Sequence, residues 1–167
     1  MIQKKHIGLF ILCIVGGLLL DQVTKLLIVN SLTPFQPPMN VIGTVLRFRL
    51  TYNPYGIFSL SFGPKYLYFI FSSIGLIVLT YVGLTMKEKI NLIVFALIIA
   101  GALGNLVDRI RLNYVIDFID MGINNHRWFT YNIADAFITL GAVYLIIREL
   151  FIRKIPEPQN IKVSTKE

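Results

Sequence analysis

Chemistry that depends on sulfur or imidazole has little to work with in this sequence. There is one cysteine, Cys13, inside an apolar run, which excludes an internal disulfide and a thiolate metal site. The two histidines, His6 and His126, are far apart in the chain, and no HExxH motif joins them. Neither a GxSxG elbow nor a Cys-His nucleophile pair is present, and the glycines are scattered without forming a phosphate loop. Charge is scarce as well: 15% of the 167 residues are charged, against about a quarter in soluble domains. The net charge of +7 raises the question of nucleic acid. The basic residues, however, are dispersed along membrane flanks rather than gathered into a stripe, so anionic lipid headgroups are the expected counter-charge and no nucleic-acid partner is expected. No internal repeat or low-complexity segment is found.

What the sequence has in quantity is apolar length. Hydrophobic residues make up 55% of it, and the expected fold class is an all-α membrane protein. A bilayer core takes about 20 apolar helical residues, and four segments approach that length: Ile7 to Val29, Tyr66 to Met86, Ile90 to Val107 and Ile133 to Ile152. Lys4 and Lys5 precede the first as in a signal peptide, but no small-x-small site follows, so a retained span is expected. Lys87-Glu88-Lys89 leaves room only for a tight hairpin between the second and third. One integral-membrane domain is expected over residues 1–155, followed by a short polar cytoplasmic tail over 156–167. Of the 16 lysines and arginines, nine fall on the side of the termini and that hairpin, which favours both termini inside.

The acidic residues sort more sharply. All four glutamates (Glu88, Glu149, Glu157, Glu167) fall on the inner side. All five aspartates (Asp21, Asp108, Asp117, Asp120, Asp135) fall toward the outer one. Also on the outer side, Leu46-Arg47-Phe48-Arg49-Leu50-Thr51-Tyr52 alternates apolar and polar residues like a half-buried strand. Asn53-Pro54-Tyr55-Gly56 supplies turn chemistry, and Phe58, Leu60 and Phe62 resume the alternation. A small β-hairpin between the first two spans is the expectation, with an ordinary interfacial loop as the alternative.

Each polar position has a plain reading and a functional one. Asp21 lies about 21 Å along the first span at 1.5 Å per residue. Lys25 at i+4 can pair with it, either to neutralise a helix end or to serve a site. Gly101 and Gly104 permit close helix packing. Asn105 and Arg109 share a face, while Asp108 points elsewhere; helix-packing glue and snorkelling are the plain alternatives. Asp117, between apolar neighbours, is expected to hold its proton more tightly than usual. Asp120 suits a solvated loop. In Tyr131-Asn132-Ile133-Ala134-Asp135, Asn132 is a good N-cap and Asp135 stands at N3, so capping alone would account for it. A hydrolase built from these residues would have to use aspartates, and two carboxyls sharing one proton can activate water.

Four blocks in order resemble the bacterial lipoprotein signal peptidases, the type II signal peptidases. Asp21-Gln22-Val23-Thr24-Lys25 is similar to that family's DQxTK, and Gly104-Asn105-Leu106-Val107-Asp108-Arg109 to GNxxDR. Val115-Ile116-Asp117-Phe118 is similar to VxDF, and Asn132-Ile133-Ala134-Asp135 to NxAD. The resemblance covers about residues 5–150. It implies an intramembrane aspartic endopeptidase of the bacterial cytoplasmic membrane that needs no metal or cofactor. Such an enzyme cuts prolipoproteins just before a diacylglyceryl-modified cysteine. The implied catalytic pair is Asp117 and Asp135. Asp21, Lys25, Asn53, Gly56, Asn105, Asp108, Arg109 and Asn132 fall at the supporting positions. It also implies an outer β-cradle and sensitivity to globomycin-type inhibitors; contact with membrane lipids and action as a monomer are expected beside it. The chain departs from the family's usual NxGxAF, with Tyr55 at the glycine position and Gly56 after it. A different class stays open beside this one: a small four-span transporter or channel subunit whose outer aspartates bind cations.

Overall fold

Leucine, isoleucine, valine and phenylalanine fill the four long apolar segments, and each winds into a helix in the computed structural model, which describes residues 4–55 and 63–152. Helix α1 spans Lys4–Ser31, α2 Lys65–Thr85, α3 Lys89–Leu112 and α4 Ile133–Ile152. Among the described residues, three helical stretches are long and apolar enough to cross a membrane: His6–Ser31, Tyr66–Thr85 and Lys89–Leu112. Of the four spans expected, these three meet that standard. Helix α4 has the length, at 20 residues, but carries Asp135 in its first turn and Arg148 and Glu149 toward its end.

Helix α3 runs a turn and more past the expected Val107, which brings Asp108 and Arg109 inside the helix. It stops at Asn113, whose left-handed backbone (φ 62°) lets its N–H return to Arg109 O at 3.1 Å. It is the central helix, packed against α1, α2 and α4. Small residues permit this: Ala96 and Ala100 are fully buried. A Cβ on Gly101 would run into the carbonyl oxygen of Ala134, and one on Gly104 into the carboxylate of Asp21. Phe10, Leu92, Phe95, Ala96 and Ile99 form the apolar core between helices.

Burial is inverted relative to a water-soluble protein. Leu12, Leu20, Leu27, Ile77 and Leu140 point outward, while Asp21, Lys25, Asn105, Asp108, Asp117 and Asn132 are buried. That is the distribution expected where lipid, not water, is the surrounding solvent.

Among the described residues, four strands cap one end of the helices: β1 (Met39–Ile42), β2 (Leu46–Asn53), β3 (Val115–Ile123) and β4 (His126–Arg127), in spatial order β1-β2-β3-β4. All neighbours are antiparallel. The strand expected at Leu46–Tyr52 is present as β2, and its partners are β1 and β3. The resumed alternation at 58–62, and Gly56 with it, lie outside the described residues. The segment around Asp117, expected as loop, is strand β3. Its Val115, Ile116, Ile119 and Ile123 are β-branched, and Leu50, Ile116, Phe118 and Ile28 make a second buried cluster beneath it.

Candidate active site

The C-terminal ends of α1 and α3 and the N-terminal end of α4 meet β3, and polar side chains from each converge there. Asn132 precedes α4 and caps it: its Oδ1 accepts the N–H of Asp135 at 2.9 Å, and the Asp135 carboxylate accepts the N–H of Asn132 at 3.3 Å. This reciprocal capping box fixes the first turn of α4. Capping nonetheless leaves the other oxygen of Asp135 free for the site, and that Oδ1 accepts from Asn105 Nδ2 at 2.8 Å.

Asp117 faces the same place from β3. Its Oδ1 accepts from Asn132 Nδ2 at 2.7 Å and its Oδ2 from Asn53 Nδ2 at 3.0 Å. The Asn132 amide also donates to Asn105 Oδ1 and to Ile116 O, both at 3.2 Å. Asn132 and Asn105 thus link the two carboxylates. Asp117 is 2% exposed. Burial first, and the negative charge of Asp135 second, push its carboxyl from the ordinary 3.8 up to about 7, against the hydrogen bonds from Asn53 and Asn132 and the charge of Lys25. A carboxyl that holds its proton to neutral pH beside a second carboxyl is equipped for acid–base chemistry.

Beneath the pair lies a buried ion cluster. Lys25 Nζ is 2.8 Å from Asp21 Oδ2 and 2.8 Å from Asp108 Oδ2, and donates to Asn105 Oδ1 at 3.2 Å. Asp21 Oδ1 accepts the N–H of Ala134 at 2.9 Å, so a carboxylate from the first helix caps the last one. Asp108 Oδ2 accepts the N–H of Ile116 at 3.2 Å and so ties the end of α3 to β3. The expected divergence of neighbours holds: Asp108 turns to Lys25, while Arg109 reaches Asn105 O at 3.1 Å and Tyr55 O at 3.3 Å. The Tyr55 N–H in turn donates to Asn53 Oδ1 at 3.0 Å, closing an Asx turn after β2. A cavity of about 390 Å³ opens beside Arg109, lined by Pro54, Tyr66, Tyr68, Phe69, Ile110 and Asn113.

Two features escape sequence reasoning. Gln22, a lettered position of the DQxTK block to which the resemblance assigns no role, donates from Nε2 to Asp108 Oδ1 at 3.0 Å and to Gly104 O at 3.3 Å. Asp120 is not a solvated loop residue: it is 2% exposed, with Arg47 on one oxygen at 2.6 Å and Arg127 on the other at 2.8 Å. Arg47 lies 73 residues away, and Arg127, though seven residues on, reaches Asp120 only through the β3–β4 turn, so the sequence around Asp120 does not announce the pairing.

The model of the family described as signal peptidase (SPase) II matches residues 13–151. The chain belongs to the signal peptidase II family. It is a protease by that membership. A lipoprotein signal peptidase of Francisella tularensis is 41% identical over 141 residues, covering 80% of this chain and 86% of that protein. One from Acinetobacter baumannii is 38% identical over 160 residues, covering 92% and 87%. Two solved bacterial membrane enzyme structures superpose with TM-scores of 0.81 and 0.77 at 30% and 32% identity. They cover 92% and 87% of this chain and 94% of their own. Membership in signal peptidase II gives no support to the cation-transport reading. Asp21, Asp108 and Asp120 are already engaged in ion pairs, the first two sharing Lys25 and the third held by Arg47 and Arg127, which counts against that reading as well.

Proposed function

We propose that this signal peptidase II cuts diacylglyceryl-modified prolipoproteins just before the lipidated cysteine, with Asp117 and Asp135 as its catalytic pair. The observation that carries this reading is the bridging of the two carboxylates through the buried Asn132 and Asn105. One carboxylate takes a proton from water as the water oxygen attacks the scissile carbonyl carbon. The other, protonated, supports the developing oxyanion and then gives its proton to the leaving amine as the C–N bond breaks. No metal or cofactor enters these steps.

Asn53, Asn105 and Asn132 hold the pair in position, and Arg109 stands beside the cavity where a substrate backbone can lie. The Asp21–Lys25–Asp108 cluster fixes the helix ends that carry them. The acyl chains of the substrate remain in the surrounding lipid. We place α4 as a fourth crossing, with both termini on the cytoplasmic side and the pair toward the outer face of the inner membrane, in one domain over residues 1–155 and as a monomer. Arg148 near the end of α4 pairs with Glu88 in the α2–α3 hairpin at 2.6 Å, which supports α4 returning to the hairpin side. The stretch between Asp135 and Arg148 carries no charge.

The test is a gel-shift cleavage assay with purified enzyme on a diacylglyceryl-modified prolipoprotein, with and without globomycin. Cleavage of the lipidated precursor, lost with Asp117→Asn or Asp135→Asn and blocked by the inhibitor, is expected. Equal cleavage of the unmodified precursor, or full turnover by Asp117→Asn, would overturn the reading.

A further inference from the structure

Strands β2 and β3 do not run in a single register. Leu46, Arg47 and Phe48 stand opposite Met121, Asp120 and Ile119; after a shift, Thr51, Tyr52 and Asn53 stand opposite Asp117, Ile116 and Val115. Arg49 and Leu50 therefore share the single position opposite Phe118. This is a bulge of one extra residue in β2. Thr51, directly opposite Asp117, and Asn53, opposite Val115, lie on the sheet face of Asp117 by strand alternation. Without the extra residue, position 53 would turn to the opposite face. The hydrogen bond from Asn53 to Asp117, 3.0 Å long between diagonal neighbours, exists only because the bulge sits where it does.

Something must keep it there, because a slip of one residue moves a strand about 3.3 Å and flips every side chain. Phe48 and Ile119 flank the bulge, and the next pair on that side is Arg47 and Asp120. Arg47 Nε and Nη2 both donate to Asp120 Oδ2, at 2.9 and 2.6 Å. Arg127 Nε donates to Asp120 Oδ1 and its Nη2 to Asp120 O, both at 2.9 Å, while its Nη1 reaches Thr44 O at 2.6 Å in the turn before β2. A fork of this kind has directional, charge-assisted bonds that tolerate no sliding. Asp120 touches neither Asn132 nor Asp135, so the catalytic pair alone gives it no use.

We propose that Asp120, clasped by Arg47 and Arg127, is a positioning residue that locks the register of β2 on β3 and so aims Asn53 at Asp117. This rests on the reading of Asp117 as a catalytic residue. The clasp acts at a distance: it touches no substrate, and its effect reaches the reaction through Asn53.

The full-length enzyme in detergent tests it. Asp120→Asn leaves two arginines facing an uncharged amide and endangers folding, so Arg47→Gln is the working variant, in which Arg127 still pairs with Asp120. On lipidated prolipoprotein, kcat of Arg47→Gln is expected to fall about tenfold or more with KM little changed, as for other small displacements of catalytic groups. The high-pH limb of its kcat profile should move upward, as in Asn53→Ala, since both variants withdraw the same hydrogen bond from the Asp117 carboxylate. In an Asn53→Ala background, Arg47→Gln should cost little more. Leu46→Cys with Met121→Cys, directly opposed positions in the native register, should restore activity to Arg47→Gln when oxidised and not when reduced. Wild-type kcat in Arg47→Gln would overturn the proposal. So would a lowered kcat with an unmoved pH limb and no rescue by the disulfide, which is the result of mere destabilisation. Asp117→Asn separates the two claims. If it is inactive while Arg47→Gln is normal, the clasp alone fails; if it is active, the reading of the pair fails first.

Discussion

Asn132 donates its side-chain N–H to Asp117 Oδ1 at 2.7 Å. The other end of the same amide accepts the N–H of Asp135 at 2.9 Å, so one side chain both starts α4 and fixes the carboxyl on β3. Asn132→Ala removes both bonds. Its kcat should fall by about a hundredfold, the scale on which misplacement near 1 Å acts, and its stability by about 1 kcal/mol for the lost cap. Asn132→Ser separates the two effects: a hydroxyl caps the helix but does not reproduce the amide fork. Thermal stability in detergent should recover while turnover stays low. Recovery of both would show that the bond to Asp117 is dispensable.

Folding stability should depend on pH through Asp117. Its carboxyl ionises near 3.8 when exposed and at about 7 in the fold, so between those values the folded state binds the extra proton. Stability is then greatest on the acid side of that window and falls as pH rises through it, by an amount on the order of a few kcal/mol. Unfolding of wild type and Asp117→Asn at pH 5 and pH 8 measures this. The wild type should be less stable at pH 8, and the variant should show a clearly smaller difference. A wild type that gains stability toward pH 8 would contradict the buried, protonated carboxyl.

Lys25 is 2% exposed and stands between two carboxylates that are just as buried. Removing it strands both charges. Lys25→Met should destabilise the protein by about 3–5 kcal/mol, seen as loss of folded enzyme in detergent. The triple variant Lys25→Met, Asp21→Asn, Asp108→Asn should be more stable than Lys25→Met alone, because no charge is left unpaired.

Glycine packing offers a prediction with its own control. A Cβ at Gly104 would collide with the Asp21 carboxylate. Gly104→Ala should therefore cost about 1–3 kcal/mol as an overpacked site and reduce turnover through the Asp21–Ala134 contact. A Cβ at Gly75, in the middle of α2, meets nothing within 4 Å. Gly75→Ala should leave activity unchanged and stabilise slightly through helix propensity. Equal behaviour of the two in thermal denaturation and cleavage would remove the steric account.

The helices and the capping box were legible in sequence because their signals are local: apolar length for one, Asn132 three residues before Asp135 for the other. Lys25 beside Asp21 was legible for the same reason, at one helical turn. The sheet was only partly so. Strand β2 announces itself by alternation, but its partner β3 lies beyond two helices, and Val115–Ile123 reads equally well as an apolar loop. The ion pairs of Asp120 depend on that pairing, so its burial could not be seen from its neighbours. The fourth helix lies between these cases, since its apolar middle is plain while Asp135, Arg148 and Glu149 dilute it at the ends.

The carboxylate of Asp21 on the N–H of Ala134 joins residues 113 positions apart. It also sets an order of events during synthesis. Asp117 leaves the ribosome before Asn132 and Asp135, and α1 waits for α4 before its carboxylate has a helix end to hold. On the proposed reading of the pair, a nascent chain halted between Asp117 and α4 has one of the two carboxylates and no cap to place the other. If Asp117 and Asp135 are the catalytic pair, the protease comes into being only with its last helix, and an unfinished copy in the membrane has no means of cutting its neighbours.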